Sequence, residues 1–202
     1  MWLKKMAKKR EQFNIIISGT GGQGLITLLQ IIAEAAIIER NDVKTSELHG
    51  LSQRGGSVEV HIRFDKKVFS PLIKKGGADL IISLEAQESL RVLSYASKDK
   101  TVFLINNFFI PIPGEKSPTI RDISNILKKF SQKTILIPAS EICQKEVGTD
   151  VVAGIYLLGI AISKNLLPLK SNSIILAIKK IIPEKYLDLN LKTFGLAKRY
   201  GK

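Results

Sequence analysis

The stretch FNIIISGTGGQGLITLLQIIAEAAIIE, Phe13 to Glu39, decides the fold. Phe13 to Ser18 is a short β-branched run that breaks off into glycines, and from Leu25 to Glu39 the residues Leu25, Leu28, Leu29, Ile32, Ala33 and Ala36 recur at helical spacing. The pattern is strand, glycine turn, helix.

Outward from this unit the same grammar repeats. Val43 to Glu47 reads as a weaker second strand, and Val58, Val60, Ile62 and Phe64 alternate with polar residues as a half-buried strand does. Asp79 to Ser83 is a buried strand, Glu85 to Ala96 a helix, and Thr101 to Ile105 the next strand. Pro111, Pro113, Gly114 and Pro118 make the following segment irregular. Ile120 to Phe130 is helical, Thr134 to Ile137 is a last strand, and the remainder has a helical pattern broken by Pro168 and Pro183. Strands alternating with helices predict an α/β fold: a mainly parallel sheet with helices on both faces, a Rossmann-like three-layer arrangement, and a helical C-terminal third. The expected division is a basic N-terminal extension, 1–12, and a single domain, 13–202.

The 202 residues suit one core of ordinary size, and the 6% aromatic content points to an aliphatic interior. One cysteine, Cys143, and two histidines, His49 and His61, supply neither an internal disulfide, nor the thiolates of an iron–sulfur cluster, nor zinc-finger spacing. Cys143 is expected to pack on a helix. The net charge of +13 is concentrated at the ends, where residues 1 to 10 and 192 to 202 carry nine basic residues and no acid. The body is left near neutral, with no basic stripe and no interleaved aromatics, so a nucleic-acid partner is not expected. The first residues lack an apolar signal segment, and the longest apolar run, Val151 to Ile162, falls short of the roughly 20 residues that cross a bilayer. A cytoplasmic protein with no membrane partner is expected.

Gly19, Gly21 and Gly24 satisfy the letters G-x-G-x-x-G between strand and helix. Such a turn lets backbone N–H groups meet a phosphate at a helix amino end, and Glu47, closing the next strand, stands where an acid could meet a ribose hydroxyl. An autonomous NAD(P)-dependent oxidoreductase is therefore one reading; a tight packing turn is the other. Gly76, Gly77 and Asp79 with Asn106 and Asn107 superficially resemble a magnesium–thiamine diphosphate pattern, but Asp79 directly opens an apolar strand, so it is expected at a strand edge with the asparagines in a turn. The richest segment is Glu47 to Ser57, ELHGLSQRGGS. It gathers His49, Ser52, Gln53 and Arg54 among three glycines, a donor set suited to a carboxylate, a phosphate or a partner's polar edge.

These phrases, with VFSPLI at Val68 to Ile73, ADLIISLEAQESLR at Ala78 to Arg91 and VVAGIYLLG at Val151 to Gly159, resemble the gamma-type domain of 2-oxoacid:ferredoxin oxidoreductases, from Phe13 to Gly195. The loop around His49-Gly50 and Gln53 to Ser57 favours the indolepyruvate type, whose small subunit is called beta. The resemblance implies a larger alpha subunit that holds thiamine diphosphate, magnesium and 4Fe–4S clusters. It also implies coenzyme A as co-substrate and ferredoxin as electron acceptor. No cofactor or metal is expected on this chain alone, which would be inactive without its partner in an obligate hetero-oligomer. A gamma subunit acting on pyruvate, 2-oxoisovalerate or 2-oxoglutarate is the neighbouring possibility.

The candidate cofactor-contacting residues are Gly19, Gly21, Gly22, Gln23 and Gly24 in the turn, and Gln53, Arg54, Gly55, Gly56 and Ser57 in the loop. His49 and Arg54 are the candidates for a catalytic role. Both groups are expected at the carboxyl ends of the strands, capping the partner's site. The apolar set Ile174, Ile175, Leu176, Ile178, Ile181 and Ile182 is expected to leave part of its helix for another chain.

Overall fold

The computed structural model describes residues 12–49, 56–110, 118–131 and 133–200, with side chains up to residue 197. Residues 1–11 of the basic extension, and Gln53, Arg54 and Gly55 of the loop, lie outside the described residues.

Six strands form one sheet: β1 (Phe13–Thr20), β2 (Asp42–His49), β3 (Ser57–Asp65), β4 (Leu80–Ser83), β5 (Val102–Asn106) and β6 (Lys133–Ile137), in the order β2-β3-β1-β4-β5-β6. The pairs β1–β4, β4–β5 and β5–β6 are parallel, whereas β3 runs antiparallel to both β1 and β2. Five strands therefore point one way. β3 alone is reversed, which makes β2 and β3 a hairpin whose connecting loop returns to the carboxyl end of β1. β4 is buried along its whole length, as a strand covered on both faces must be.

Alternate residues enter two cores. Ile15, Ile17, Leu80, Ile82 and Leu104 face a thick layer made by α1 (Leu25–Ile38), α4 (Ala139–Val147), α5 (Ala153–Ser163), α6 (Ser171–Ile181) and α7 (Glu184–Tyr200). Ile16, Ile81, Phe103 and Ile105 face a thin layer in which α3 (Ile120–Leu127) contributes Ile123 and Leu127. The longest apolar run of the sequence is α5, buried continuously from Ala153 to Ala161 because α7 covers the side turned away from the sheet. The two helices touch so closely that a Cβ on Gly159 would lie 2.5 Å from the Ala197 Cβ. Cys143 packs on α4, and burial pushes its thiol up to about 11.

Two expectations are corrected. Glu85 to Ala96 is not one helix but a four-residue α2 (Glu88–Arg91) followed by a 3-10 turn at Leu93–Tyr95, because Glu85 and Glu88 are buried and the chain bends to lay Val92 and Ala86 into the thin core. Asn106 is no turn residue; it ends β5, fully buried, and its side chain bonds to the Leu84 carbonyl and the Ser140 hydroxyl. In α6, Ile174 and Ile178 are buried and Ile175, Ile181 and Ile182 lie half-buried on the same core, since α1 flanks one side and α7 another. Leu176 alone of that set is exposed, so most of the set packs within the chain.

Candidate functional site

The parallel strands deliver three connections to one crevice. Thr20, Gly21, Gly22 and Gln23 follow β1, Leu84 follows β4, and Asn106, Phe108 and Ile110 close β5; Ser140, Asp150, Val151, Ala153 and Gly154 complete a cleft of about 220 Å³. The sheet order explains the position. β1 lies between β3 and β4, where the chain's connections diverge to the two sides, and open α/β sheets expose ligands at such a point.

The chemistry of the crevice is that of helix amino ends. α1, α4 and α5 all begin on it, none with a bond from its own N-cap side chain, although the Ser140 N–H of α4 is taken by Asn106 and the Ala153 N–H of α5 by the Asp150 carbonyl. Gly22 and Gly24 hold φ of 98° and 79°, left-handed values that turn the chain out of β1 and straight into α1. First-turn N–H groups and the aligned dipoles favour an anion there. Asn106 fixes the floor: its Nδ2 donates to the Leu84 carbonyl at 3.1 Å and to Ser140 Oγ at 2.8 Å, while its Oδ1 accepts the Ser140 N–H at 3.2 Å. Asp150 is the single acidic side chain on the lining. A second, mainly apolar groove of about 590 Å³ continues from Gln23 and Gly24 between α1, α5 and α7, past Ile155, Ile182 and Tyr186.

The turn and the loop are joined. The Gly21 N–H donates to the Gly56 carbonyl at 3.0 Å, and Thr20 stands opposite Ser57 in the β1–β3 ladder. Ser57 Oγ then donates to Glu88 Oε1 at 3.0 Å, which also accepts Arg91 Nε at 3.0 Å, so a buried carboxylate anchors the loop's C-terminal root. Gln23 is turned inward, its Oε1 accepting the Thr20 N–H at 2.9 Å. Gly19, Gly21, Gly22, Gln23, Gly24, Gly56 and Ser57 thus gather at one end of the sheet.

His49 and Glu47 share that end of the sheet, His49 pairing with Val58, but they do not line the crevice. They stand on β2 beyond β3, two strands or about 9.5 Å from β1, and His49 Nε2 lies 3.3 Å from Glu47 Oε2 on an exposed surface. A ribose held at the glycine turn would meet the strand beside β1, and that strand is the antiparallel β3. Glu47 is therefore not placed for the ribose of a dinucleotide.

Sequence reading missed Glu85 and Glu88. Glu85 lies just behind Leu84, 2% exposed, with Oε1 lacking a hydrogen-bond partner among the described residues. Burial first, and then neighbouring Glu88, push its carboxyl above the ordinary range, opposed by N–H bonds from Ile110 and Gln87. The available signal was a glutamate placed just after the fully buried strand LIIS and Leu84, which a helical reading assigns to solvent.

Among the described residues, no group of three or more His, Cys, Asp or Glu side chains could hold a metal ion, and no helix is long and apolar enough to cross a membrane. The one thiol, Cys143, is buried away from any second sulfur ligand, so the residues of this chain do not fit an iron–sulfur cluster.

Comparison with known proteins agrees with the fold. The chain is 37% identical over 189 residues to "Indolepyruvate oxidoreductase subunit IorB" of Archaeoglobus fulgidus, covering 92% of this chain and 93% of that one. It is 27% identical to "Pyruvate/ketoisovalerate oxidoreductases common subunit gamma" of Pyrococcus abyssi, covering 76% and 78%. Among solved structures, the 2-oxoglutarate:ferredoxin oxidoreductase of Magnetococcus marinus superposes with a TM-score of 0.72 at 17% identity, over 95% of this chain and 31% of that longer one. The family model described as "Pyruvate ferredoxin/flavodoxin oxidoreductase" matches residues 14–200, and the chain belongs to that family.

Proposed function

We propose that this chain is the cluster-free small subunit of an indolepyruvate:ferredoxin oxidoreductase. With a larger subunit it supports oxidative decarboxylation of arylpyruvates: the acyl group passes to coenzyme A, carbon dioxide leaves, and the electrons go to ferredoxin. The observation that carries this reading is the 37% identity over almost the full length of both chains, against 27% over about three quarters for the pyruvate/ketoisovalerate relative. Thiamine diphosphate, magnesium and the clusters belong on the larger subunit, and the complex works in the cytoplasm.

The part assigned to this chain is to cap the site and to hold an anionic co-substrate. The glycine turn at the amino end of α1 suits a phosphate of coenzyme A, and the adjoining apolar groove suits its uncharged arm. Arg54, in the loop whose root is tied at Gly56 and Ser57, is assigned a charge-assisted contact with that anion.

The test is steady-state turnover of the reconstituted complex with coenzyme A varied. Arg54→Ala is expected to leave assembly intact and to lower turnover or co-substrate affinity. One charge-assisted bond is worth about 1.5–3 kcal/mol, roughly a 10- to 150-fold change. Unchanged kinetics would make the loop a linker; loss of assembly would make it an interface. An active chain without a partner would overturn the reading itself.

A further inference from the structure

The thin layer stops short of the sheet's β2–β3 end. By register, Leu48, Ser46 and Lys44 of β2 share a face with Glu59, His61 and Arg63 of β3, and that face belongs to the thin side, since Ile16 stands opposite His61. Among the described residues no helix covers this end; the segment from Lys66 to Lys75 is laid over it instead.

That segment is fastened from beneath. Arg63 Nη1 donates to the carbonyls of Ser70 and Leu72, each at 2.8 Å, while its Nε and Nη2 are held by Asn14 and Gln12. The Ile73 N–H donates to His61 Nδ1 at 3.1 Å, which leaves the proton on Nε2 for Glu59 Oε1 at 2.6 Å, and the Val68 N–H donates to Asp42. Val68 and Ile73 are buried as pegs. Between them the segment holds Phe69 outward at 85% exposure and Leu72 at 53%, with Leu48 45% exposed on the neighbouring strand.

A loop this heavily bonded has no freedom to fold its phenylalanine away. Exposing a full aromatic ring on a fixed backbone forgoes the favourable burial of its apolar surface, which a covering surface recovers. The charge around it is one-sided. Lys66, Lys67, Lys74 and Lys75 are all exposed, with Lys67 Nζ 5.0 Å from the Phe69 ring centre. The nearby acids are engaged locally: Asp42 with Val68 and Lys44, and Asp65 with the Lys66 N–H.

We infer that Phe69 and Leu72, framed by these four lysines, form a docking knob for a carboxylate-rimmed apolar pocket on the larger catalytic subunit. The inference rests on the function proposed above. A second copy of this chain is a poor occupant, because it would bring the same lysines face to face. The knob lies at the end of β3 remote from the crevice, so it can fasten the two subunits without occupying the co-substrate's place.

The experiment measures affinity between the purified full-length chain and its larger subunit by sedimentation, at rising salt, with separate melting curves of the chain. Phe69→Asp is expected to weaken association about tenfold or more with melting unchanged, as for a central aromatic anchor. The pair Lys66→Glu and Lys67→Glu is expected to weaken it and flatten its salt dependence. Should Phe69→Asp disturb folding, the lysine pair decides. Wild-type affinity in the folded variants overturns the inference. So does a loss seen only toward phosphatidylglycerol vesicles or duplex DNA, which would make the knob a membrane or nucleic-acid contact. Failure of the unaltered chain to bind the larger subunit defeats the functional reading as well, whereas unaltered binding with indifferent variants defeats the docking knob alone.

Discussion

The two halves of the sheet are built to different rules. β1, β4, β5 and β6 are parallel and end together on the crevice, the first three largely buried and β6 half-buried; β2 and β3 are an antiparallel hairpin whose outer strand is mostly exposed. In the parallel half every apolar side chain packs on a core on one face or the other, so its carboxyl ends are fixed to within the tolerance of packed helices. In the hairpin half only β3 is anchored. Its burden is to present things: a glycine-rich loop at one end and a lysine-framed phenylalanine at the other. Precision and presentation are thus divided across one continuous set of backbone hydrogen bonds.

The largest effect that separates the halves is in the core. Phe103 on β5 is fully buried in the thin core, while Thr45 on β2 is exposed. Phe103→Ala should cost about 3–5 kcal/mol, and Thr45→Ala under about 1 kcal/mol. Urea unfolding of both variants checks this. Comparable losses would mean that the hairpin is as tightly integrated as the parallel strands.

The same division explains what could be read from the amino-acid order. β1, the glycine turn and α1 follow from a β-branched run, a glycine cluster and a helical repeat, and each lies within two residues of its expected bounds. Local periodicity carries such elements because burial on one face imposes it. The reversal of β3 was not legible, since the pattern Val58, Val60, Ile62, Phe64 is the same whichever way the strand runs. With it went the position of Glu47, which depends on strand order. The site was legible where backbone geometry demands glycine, at Gly22 and Gly24, and illegible where a buried charge depends on distant chain. Glu85, Glu88 and Asn106 are of that second kind: their partners lie 22 to 34 residues away or across a bend that no repeat announces.

A smaller effect tests the turn on which the crevice depends. Gly24 has a φ of 79°, and its Cβ would meet no atom within 4 Å, so any penalty there is conformational and not steric crowding. Gly24→Val should therefore lower stability by about 1–2 kcal/mol, the cost of a left-handed L-residue, and more for a branched side chain. Gly195→Ala, also with open space but on helix α7, should be neutral or slightly stabilising. Thermal melting of the pair sharpens the contrast; equal melting would show that the turn relaxes without strain.

The smallest effect concerns Glu85, on the wall behind the crevice. Its folded carboxyl is raised, by burial first and Glu88 second, above the ordinary 4.5, so the folded chain keeps a proton that the unfolded chain releases. Between those two values the native state binds more protons, and the slope of stability with pH is negative. The stability tied to this proton is fully present below the ordinary value and is lost as pH rises through the raised one. Glu85→Gln keeps the shape and removes the titration. Relative to the wild type the variant should gain as pH rises across that window and hold its gain above it, by an amount smaller than the losses expected at Phe103 and Gly24. Urea midpoints for both proteins at acid, neutral and mildly alkaline pH provide the measurement. Curves that stay parallel throughout would mean that Glu85 ionises freely, and the crevice wall would then carry a negative charge opposed to the anion its helix ends attract.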